Sequence, residues 1–241
     1  MPKSNINPKR FAEEIPIEEV ELKSDYNGKA WKRIKKMEAR KKIYTALNFD
    51  ERIYGGQEPD FIPTFQKIAD ALLNKTVIQT EHSRFYFQEI EFYLFSGAHP
   101  DPFVHRNEQQ REFGQWYSHA AGLDLCLGNK DLEQQGQAYF GILIRSIGKE
   151  YESLPIYGPL KVFDSLIANY GSAFGTGCLK IETLPESNNF RIESGTRIGL
   201  KDKPGLPDAE SSSRKNYREM NYRFFVHDLP ERCKELKKRK S

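Results

Sequence analysis

The segment Phe85-Tyr-Phe-Gln-Glu-Ile-Glu-Phe-Tyr-Leu-Phe95 constrains the fold of this chain more than any other. It is rich in aromatics and it alternates, which fits an extended strand whose successive side chains point to opposite faces. Glu89 and Glu91 are two positions apart, so alternation puts both carboxylates on the same face. Burying them among Phe85, Phe87, Phe92, Tyr93 and Phe95 is costly unless they are paired or used. One of the two is then a candidate general base whose pKa is tuned by apolar neighbours. The plain alternative is a sheet face with water on its glutamate side.

Such a strand needs partners, and the sequence offers several. Phe61 to Leu73 reads as a helix begun through Pro63-Thr64, with Phe65, Ile68, Ala69 and Leu72 on one face. Thr76 to Thr80 reads as a short strand, and Tyr139 to Ile147 as one apolar enough to lie mid-sheet. Gly158-Pro to Ala168 predicts a helix starting at its proline. Phe190 to Glu193, Thr196 to Leu200 and Tyr222 to Val226 predict late strands, and 201–216, rich in Lys, Pro, Asp and Ser, a mobile loop. The order predicts an α+β fold, a single domain with a mixed, mostly antiparallel curved sheet flanked by helices.

Charge divides the chain into blocks. The 37 Lys and Arg against 34 Asp and Glu leave only +3, which by itself announces no nucleic-acid partner. Yet residues 1–27 form an acidic arm, with Glu13, Glu14, Glu18, Glu19, Glu21 and Asp25 around Pro16. Residues 28–58 follow as a basic helix and linker, in which Lys32, Arg33 and Lys36 belong to a run opposed by a single Glu38. That run is either a solvated helix face or a phosphate-contacting one. A basic tail closes the chain at 231–241, leaving 59–230 as the central domain.

Three cysteines without CxxC spacing exclude a disulfide scaffold and a cysteine-built zinc site, so a reducing, cytoplasmic setting is expected. No stretch approaches the roughly 18 apolar residues of a membrane span, and the N-terminus lacks the apolar core of a signal peptide. The loop Ser96 to Asn107 carries His99, Asp101, His105 and Arg106. His with Asp could be a metal pair, but no third ligand stands at zinc-site spacing, and loop histidines are ordinarily surface residues. Gly114 to Leu127 crowds aromatic, His and Gly residues together as a plausible pocket wall.

Together these segments resemble the alkyladenine (3-methyladenine) DNA glycosylase superfamily, as a divergent member. Glu91-Phe-Tyr93 followed by Asp101-Pro-Phe-Val-His105-Arg106 is similar to its glutamate and tyrosine preceding an acidic-x-x-x-His turn. Gly114-Gln-Trp-Tyr117 resembles a Gly-x-Leu-Tyr strand, and Ile142-Leu-Ile-Arg145-Ser-Ile147 a Val-Leu-Leu-Arg-Ala-Leu strand. Gly158-Pro-Leu-Lys161 looks like a Gly-Pro-x-Lys helix start. Arg197-Ile-Gly199 and Tyr222-Arg-Phe-Phe-Val226 are similar to Arg-Val-Gly and Leu-Arg-Phe-Tyr-Val segments. The matched order runs over about residues 60–230.

The resemblance implies a monofunctional DNA glycosylase that flips a base and hydrolyses its N-glycosidic bond, with no cofactor, no metal and no membrane association. The chain is expected to act as a monomer on double-stranded or locally unstacked DNA. Glu91 would be the base that activates water for attack on C1′, stabilising the oxocarbenium-like state. Arg145 would stand beside the flipped nucleotide and the water. Tyr93, His105, Tyr117, His119 and Asp124 would contact the base. Arg106 and Lys161 would bind DNA together with Lys32, Arg33 and Lys36. No Schiff-base lysine is supplied by motif.

Two departures from the pattern bear on substrate. His119 replaces a second pocket aromatic with a hydrogen-bonding ring, and Asp124 adds a polar group that could read an exocyclic amine or a sugar hydroxyl. The aromatic that fills the vacated stack falls near Ala121-Gly122, where no large side chain exists, leaving Trp116, Leu123 or a loop aromatic for the task. The substrate is therefore either an alkylated purine or another modified base, such as a bulky modified cytosine of foreign DNA, in a repair or defence role. Two other readings remain: a non-catalytic nucleic-acid-binding module on the same fold, and a small-molecule transferase or hydrolase sharing the sheet.

Overall fold

Helix α1 (Ile62–Lys75) places Pro63 in its first turn, where a missing N–H leaves no bond unmade, and buries Phe65, Ile68, Ala69 and Leu72 as the periodicity predicts. It is the first element of a computed structural model that describes residues 61–130, 138–172, 177–201 and 207–227. The acidic arm over 1–27, the basic helix and linker over 28–58 and the tail over 231–241 lie outside the described residues.

Strands β1 (Thr76–Thr80) and β2 (Arg84–Phe95) follow α1. A 3-10 turn (Glu108–Arg111) then leads to the hairpin of β3 (Gln115–His119) and β4 (Gly122–Cys126). Next come β5 (Tyr139–Lys149), the short β6 (Ile156–Tyr157) and helix α2 (Pro159–Ala168). Strands β7 (Leu179–Thr183) and β8 (Ile192–Gly195), helix α3 (Asp208–Glu219) and strand β9 (Arg223–Val226) complete the order. The sheet runs β3-β4-β5-β2-β1-β7, with β6 on β5, β9 beside β2 and β8 beside β9. It curls: the Trp116 indole N–H of β3, at one end of this path, donates to the Leu179 carbonyl of β7 at the other, at 3.0 Å. The α+β class is as expected. So is the mostly antiparallel, curved sheet, in which every strand pairing among the described residues is antiparallel.

Strand β2 is where sequence alternation and structure part. Its register against β5 shifts on both sides of Glu89, the signature of a β-bulge. The extra residue inverts the side-chain phase. Phe85 and Phe87 face the core before the bulge, and Ile90, Phe92 and Leu94 face it afterwards. Glu89, Glu91, Tyr93 and Phe95 are thereby turned together to the opposite face. Unbroken alternation would have left Phe87 and Glu91 on one side. The core behind β2 is aromatic: Phe65 stacks on Phe92 at 4.5 Å, and Phe92 meets Phe224 edge-on at 5.3 Å.

Two expectations for the late chain are corrected. Residues 196–200 are not a strand, because Arg197 is drawn inward to a buried ion pair with Asp101. The expected loop over 201–216 instead contains most of α3, whose composition hides its anchor. That anchor is Arg214, which lies 4.3 Å over the Phe103 ring and donates to the Lys201 carbonyl at 3.1 Å. No helix among the described residues is long and apolar enough to cross a membrane.

Candidate functional site

Antiparallel pairing lines up the candidate residues in one cross-strand row. Glu91 of β2 pairs with Leu143 of β5, Leu143 with Asp124 of β4, and Asp124 with Tyr117 of β3. Directly opposed residues share a face, so all four belong to the side turned away from the core. Two strand spacings, about 9–10 Å, separate the Glu91 and Asp124 positions, with the buried Leu143 between them.

At one end Glu91 is wholly buried, which overturns the reading of a wetted glutamate face. Its Oε1 accepts the Ile198 amide at 2.7 Å, and its Oε2 accepts the Tyr93 hydroxyl at 2.9 Å. The Arg145 guanidinium adds Nη1 to Oε2 at 3.3 Å and Nε at 3.3 Å from Oε1. Burial pushes the Glu91 carboxyl above the ordinary glutamate range, and Glu89 adds to that rise. Arg145, the Ile198 amide and the Tyr93 hydroxyl work against it. Burial and the adjoining Glu91 hold the Tyr93 phenol well above its usual pKa, so it remains a neutral donor. The Ile198 carbonyl also accepts from Arg145 Nη1 at 3.4 Å, so backbone and side chains converge on the same carboxylate.

The residues holding this arrangement lie outside the catalytic and base-contacting set expected from sequence. Arg197 donates to the Phe92 carbonyl at 3.0 Å, to Asp101 at 2.5 Å and to the Tyr217 carbonyl at 2.9 Å. Its guanidinium lies 4.6 Å over the Tyr93 ring. Arg223 of β9 donates to Glu89 at 3.1 Å and to the Thr196 carbonyl at 2.9 Å. Arg197 and Arg223 were expected only as strand residues. Their signal was their place inside two motif segments. Gln110, which donates to Asp124 at 3.2 Å, has no sequence signal.

The far wall is a cluster of rings. His105 meets His119 at 4.5 Å and Tyr117 at 6.0 Å, both edge-on, and Tyr117 lies tilted beside His119 at 5.0 Å. The hydrogen-bonding ring expected at 119 makes its hydrogen bonds within the protein. The Ala121 amide donates to His119 Nδ1 at 3.2 Å, so the other nitrogen, Nε2, carries the proton and donates to Asp124 at 3.0 Å. With both nitrogens engaged, His119 presents its ring rather than a hydrogen-bonding edge. Asp124 is likewise taken up by His119 and Gln110, and acts as their anchor. This anchor needs Gly141, because a Cβ there would stand 2.5 Å from Asp124 Oδ2. His105 is exposed at the rim, and partial burial, then its neighbour His119, lower its pKa.

The remaining expectations divide. Arg106 is exposed, adopts φ 56 and lies 4.4 Å over Phe95, and Lys161 is exposed in the first turn of α2. Neither touches Glu91 or Asp124 through a described contact. Lys32, Arg33 and Lys36 fall outside the described residues. Neither Trp116 nor Leu123 is available to enter a DNA stack: Trp116 is tied to Leu179, and Leu123 is buried in the core. His99 is no surface residue and makes no metal pair with Asp101. It is buried, with Nδ1 donating to the Leu94 carbonyl and Nε2 accepting from the Tyr222 hydroxyl, each at 2.8 Å. Asp101 serves Arg197 and the Phe103 amide. Among the described residues no three His, Cys, Asp or Glu side chains gather as a metal site.

Comparison with known proteins gives two findings. No family model matches the chain. A protein of Acanthamoeba polyphaga mimivirus, L759, which carries the description uncharacterized, is 30% identical over 171 residues, covering 58% of this chain and 79% of the viral one.

Proposed function

Because the chain belongs to the same family as mimivirus protein L759, a relative whose name states no activity, we propose its function from the chemistry of the site itself. The proposed function is that of a monofunctional DNA glycosylase, which flips a damaged or modified base from the helix and hydrolyses its N-glycosidic bond. The observation that carries this reading is the wholly buried Glu91, gripped by Arg145, Tyr93 and the Ile198 amide. A carboxylate raised by burial takes a proton more readily than an exposed one, as activation of a water for attack on C1′ requires. The same charge stabilises the oxocarbenium-like state opposite the departing base.

Other features agree. Tyr93 on one side and the His105, Tyr117 and His119 rings on the other offer flat apolar faces to an extruded base. At the far wall the His119 N–H is taken by Asp124, and burial lowers the pKa of His105, favouring its neutral form. A base that departs readily without strong protonation, such as an alkylated purine or an electron-poor modified pyrimidine, suits such a wall. Leu160 fits the task of filling the vacated stack. It stands 53% exposed on the first turn of α2. The preceding Pro159 abuts the β3–β4 hairpin, where a Cβ on Gly122 would meet Pro159 Cβ at 2.7 Å. The exposed Arg106 and Lys161 would engage phosphates.

The test is incubation of the wild-type chain and Glu91→Gln with a panel of alkylated and virus-modified DNAs, scoring released bases and alkali-labile sites. Wild type should release a base. Glu91→Gln should still bind DNA with release reduced by about 100-fold or more, the scale of a lost general base. Salt-sensitive binding without base release on every substrate would establish a binding module instead. Undiminished release by Glu91→Gln would remove Glu91 from the mechanism.

A further inference from the structure

Glu89 is a second carboxylate beside Glu91, and the proposed hydrolysis does not use it. It is buried to 2% exposure on the same face, brought there by the bulge that begins at its own position. Arg145 stands between the two acids, with Nε 3.4 Å from Glu89 Oε1 and 3.3 Å from Glu91 Oε1. That buried Nε makes a well-directed hydrogen bond to neither, so the guanidinium reaches both acids through Nε while its Nη1 donates to Glu91 at 3.3 Å. The same Glu89 Oε1 accepts from Arg223 Nη1 at 3.1 Å, and Arg223 is fixed in turn by the Thr196 carbonyl. The order of charges across β9, β2 and β5 is therefore Arg223, Glu89, Arg145, Glu91.

We propose that Glu89 is a positioning residue: by competing for Arg145 it sets how much of that cation's charge reaches Glu91, and Arg223 sets how strongly Glu89 competes. Two arginines face two acids, but not in separate pairs: Arg223 stands on Glu89, while Arg145 hydrogen-bonds Glu91 and also comes within 3.4 Å of Glu89. Here one guanidinium is stretched between two acids, and Glu91 makes up the difference with two weaker donors, the Tyr93 hydroxyl and the Ile198 amide. The groups facing Glu91 are Glu89 and Tyr93 from its own strand, Arg145 from β5, Arg223 from β9 beyond Glu89, and the Ile198 peptide. Arg197 lies under the Tyr93 ring, and Asp124 stands across Leu143. Of these, Glu89 acts with burial to keep Glu91 protonatable, while Arg145, Tyr93 and Ile198 oppose it. The geometry predicts opposite responses to two substitutions. Glu89→Gln leaves Arg145 wholly to Glu91. Arg223→Gln removes one cation from Glu89, which then draws more strongly on Arg145.

This inference rests on the reading of Glu91 as the base, and its test separates the two. The full-length chain, labelled at glutamate side-chain carboxyl carbons, is titrated by NMR as wild type, Glu89→Gln and Arg223→Gln. Glu91→Gln assigns the Glu91 signal, and circular dichroism checks each fold. The Glu91 midpoint should move to lower pH in Glu89→Gln and to higher pH in Arg223→Gln. The acidic limb of any base-release profile should move with it. Glu89→Asp, one methylene shorter, should restore part of the wild-type position. A midpoint unchanged or raised in Glu89→Gln, or unmoved in a folded Arg223→Gln, overturns the proposal whatever the activity. Midpoints that move as expected in a protein releasing no base from any DNA leave the positioning role of Glu89 standing and remove the glycosylase reading alone.

Discussion

Arg197 and Asp101 form a wholly buried ion pair at 2.5 Å, and replacing Arg197 by Met tests how much of the site depends on it. The substitution keeps most of the side-chain volume but leaves the Asp101 carboxylate with the Phe103 amide as its remaining described donor. It also strips a donor from the Phe92 and Tyr217 carbonyls and removes the cation from the Tyr93 ring. Breaking a buried pair by removing one partner costs about 3–5 kcal/mol, because the surviving charge is uncompensated. For a domain of this size that corresponds to a fall in Tm of about 6–20 °C. Urea unfolding of wild type, Arg197→Met, Asp101→Asn and the double variant forms a cycle. The double variant, which buries no charge at this point, should recover about 1–3 kcal/mol relative to the sum of the single losses. The neighbouring Ile198 amide should also lose its fixed place on Glu91, so base release should fall even at temperatures where Arg197→Met is folded. A loss below about 1 kcal/mol, the scale of an exposed pair, or an additive cycle would refute the assignment of Arg197 as the residue that holds segment 196–200 against Glu91.

Two further outcomes follow from the site. Tyr93→Phe deletes a hydrogen bond that favours the ionised Glu91, so the carboxyl's already raised pKa should climb further and the acidic limb of kcat/KM move to higher pH; a limb that stays or moves down contradicts the hydrogen bond's direction. Leu160→Ala should weaken base release from duplex DNA by about 10-fold or more while sparing release from single strands, a discrimination worth about 1.4 kcal/mol; equal loss on both would place Leu160 outside the stack.

Much of the frame was legible because local periodicity and burial agree. The proline at the start of α1 and its apolar face, the Gly158-Pro159 start of α2 and the apolar run of β5 each read correctly within a few residues. Glu91, Tyr93 and Arg145 were also named from sequence, and folding brings them within hydrogen-bonding reach of one another. The errors share a cause. Thr196 to Leu200 has the look of a strand, but a buried arginine pairing with an aspartate 96 positions away draws it out of the sheet. Helix α3 is so polar that its composition reads as a loop, and what holds it is an arginine over Phe103. His119 reads as a hydrogen-bonding ring, but not as one that the amide of Ala121 and the carboxylate of Asp124 occupy.

Strand alternation and helical periodicity are local and survive in one dimension, so the mostly antiparallel sheet with its flanking helices was readable from the residues alone. The sequence also named Glu91, Tyr93 and Arg145, which folding brings into contact. Alternation already placed Glu89, Glu91 and Tyr93 on one face, but that Phe85 and Phe87 turn away from it follows from a one-residue bulge that a period-two reading does not see. Only the tertiary structure decided that Arg145 is divided between two carboxylates and that Ile198 reaches Glu91 from 107 positions away. Charge sharing and backbone donation depend on distances of a few ångströms between segments remote in the chain, and those distances are set by packing, not by spacing.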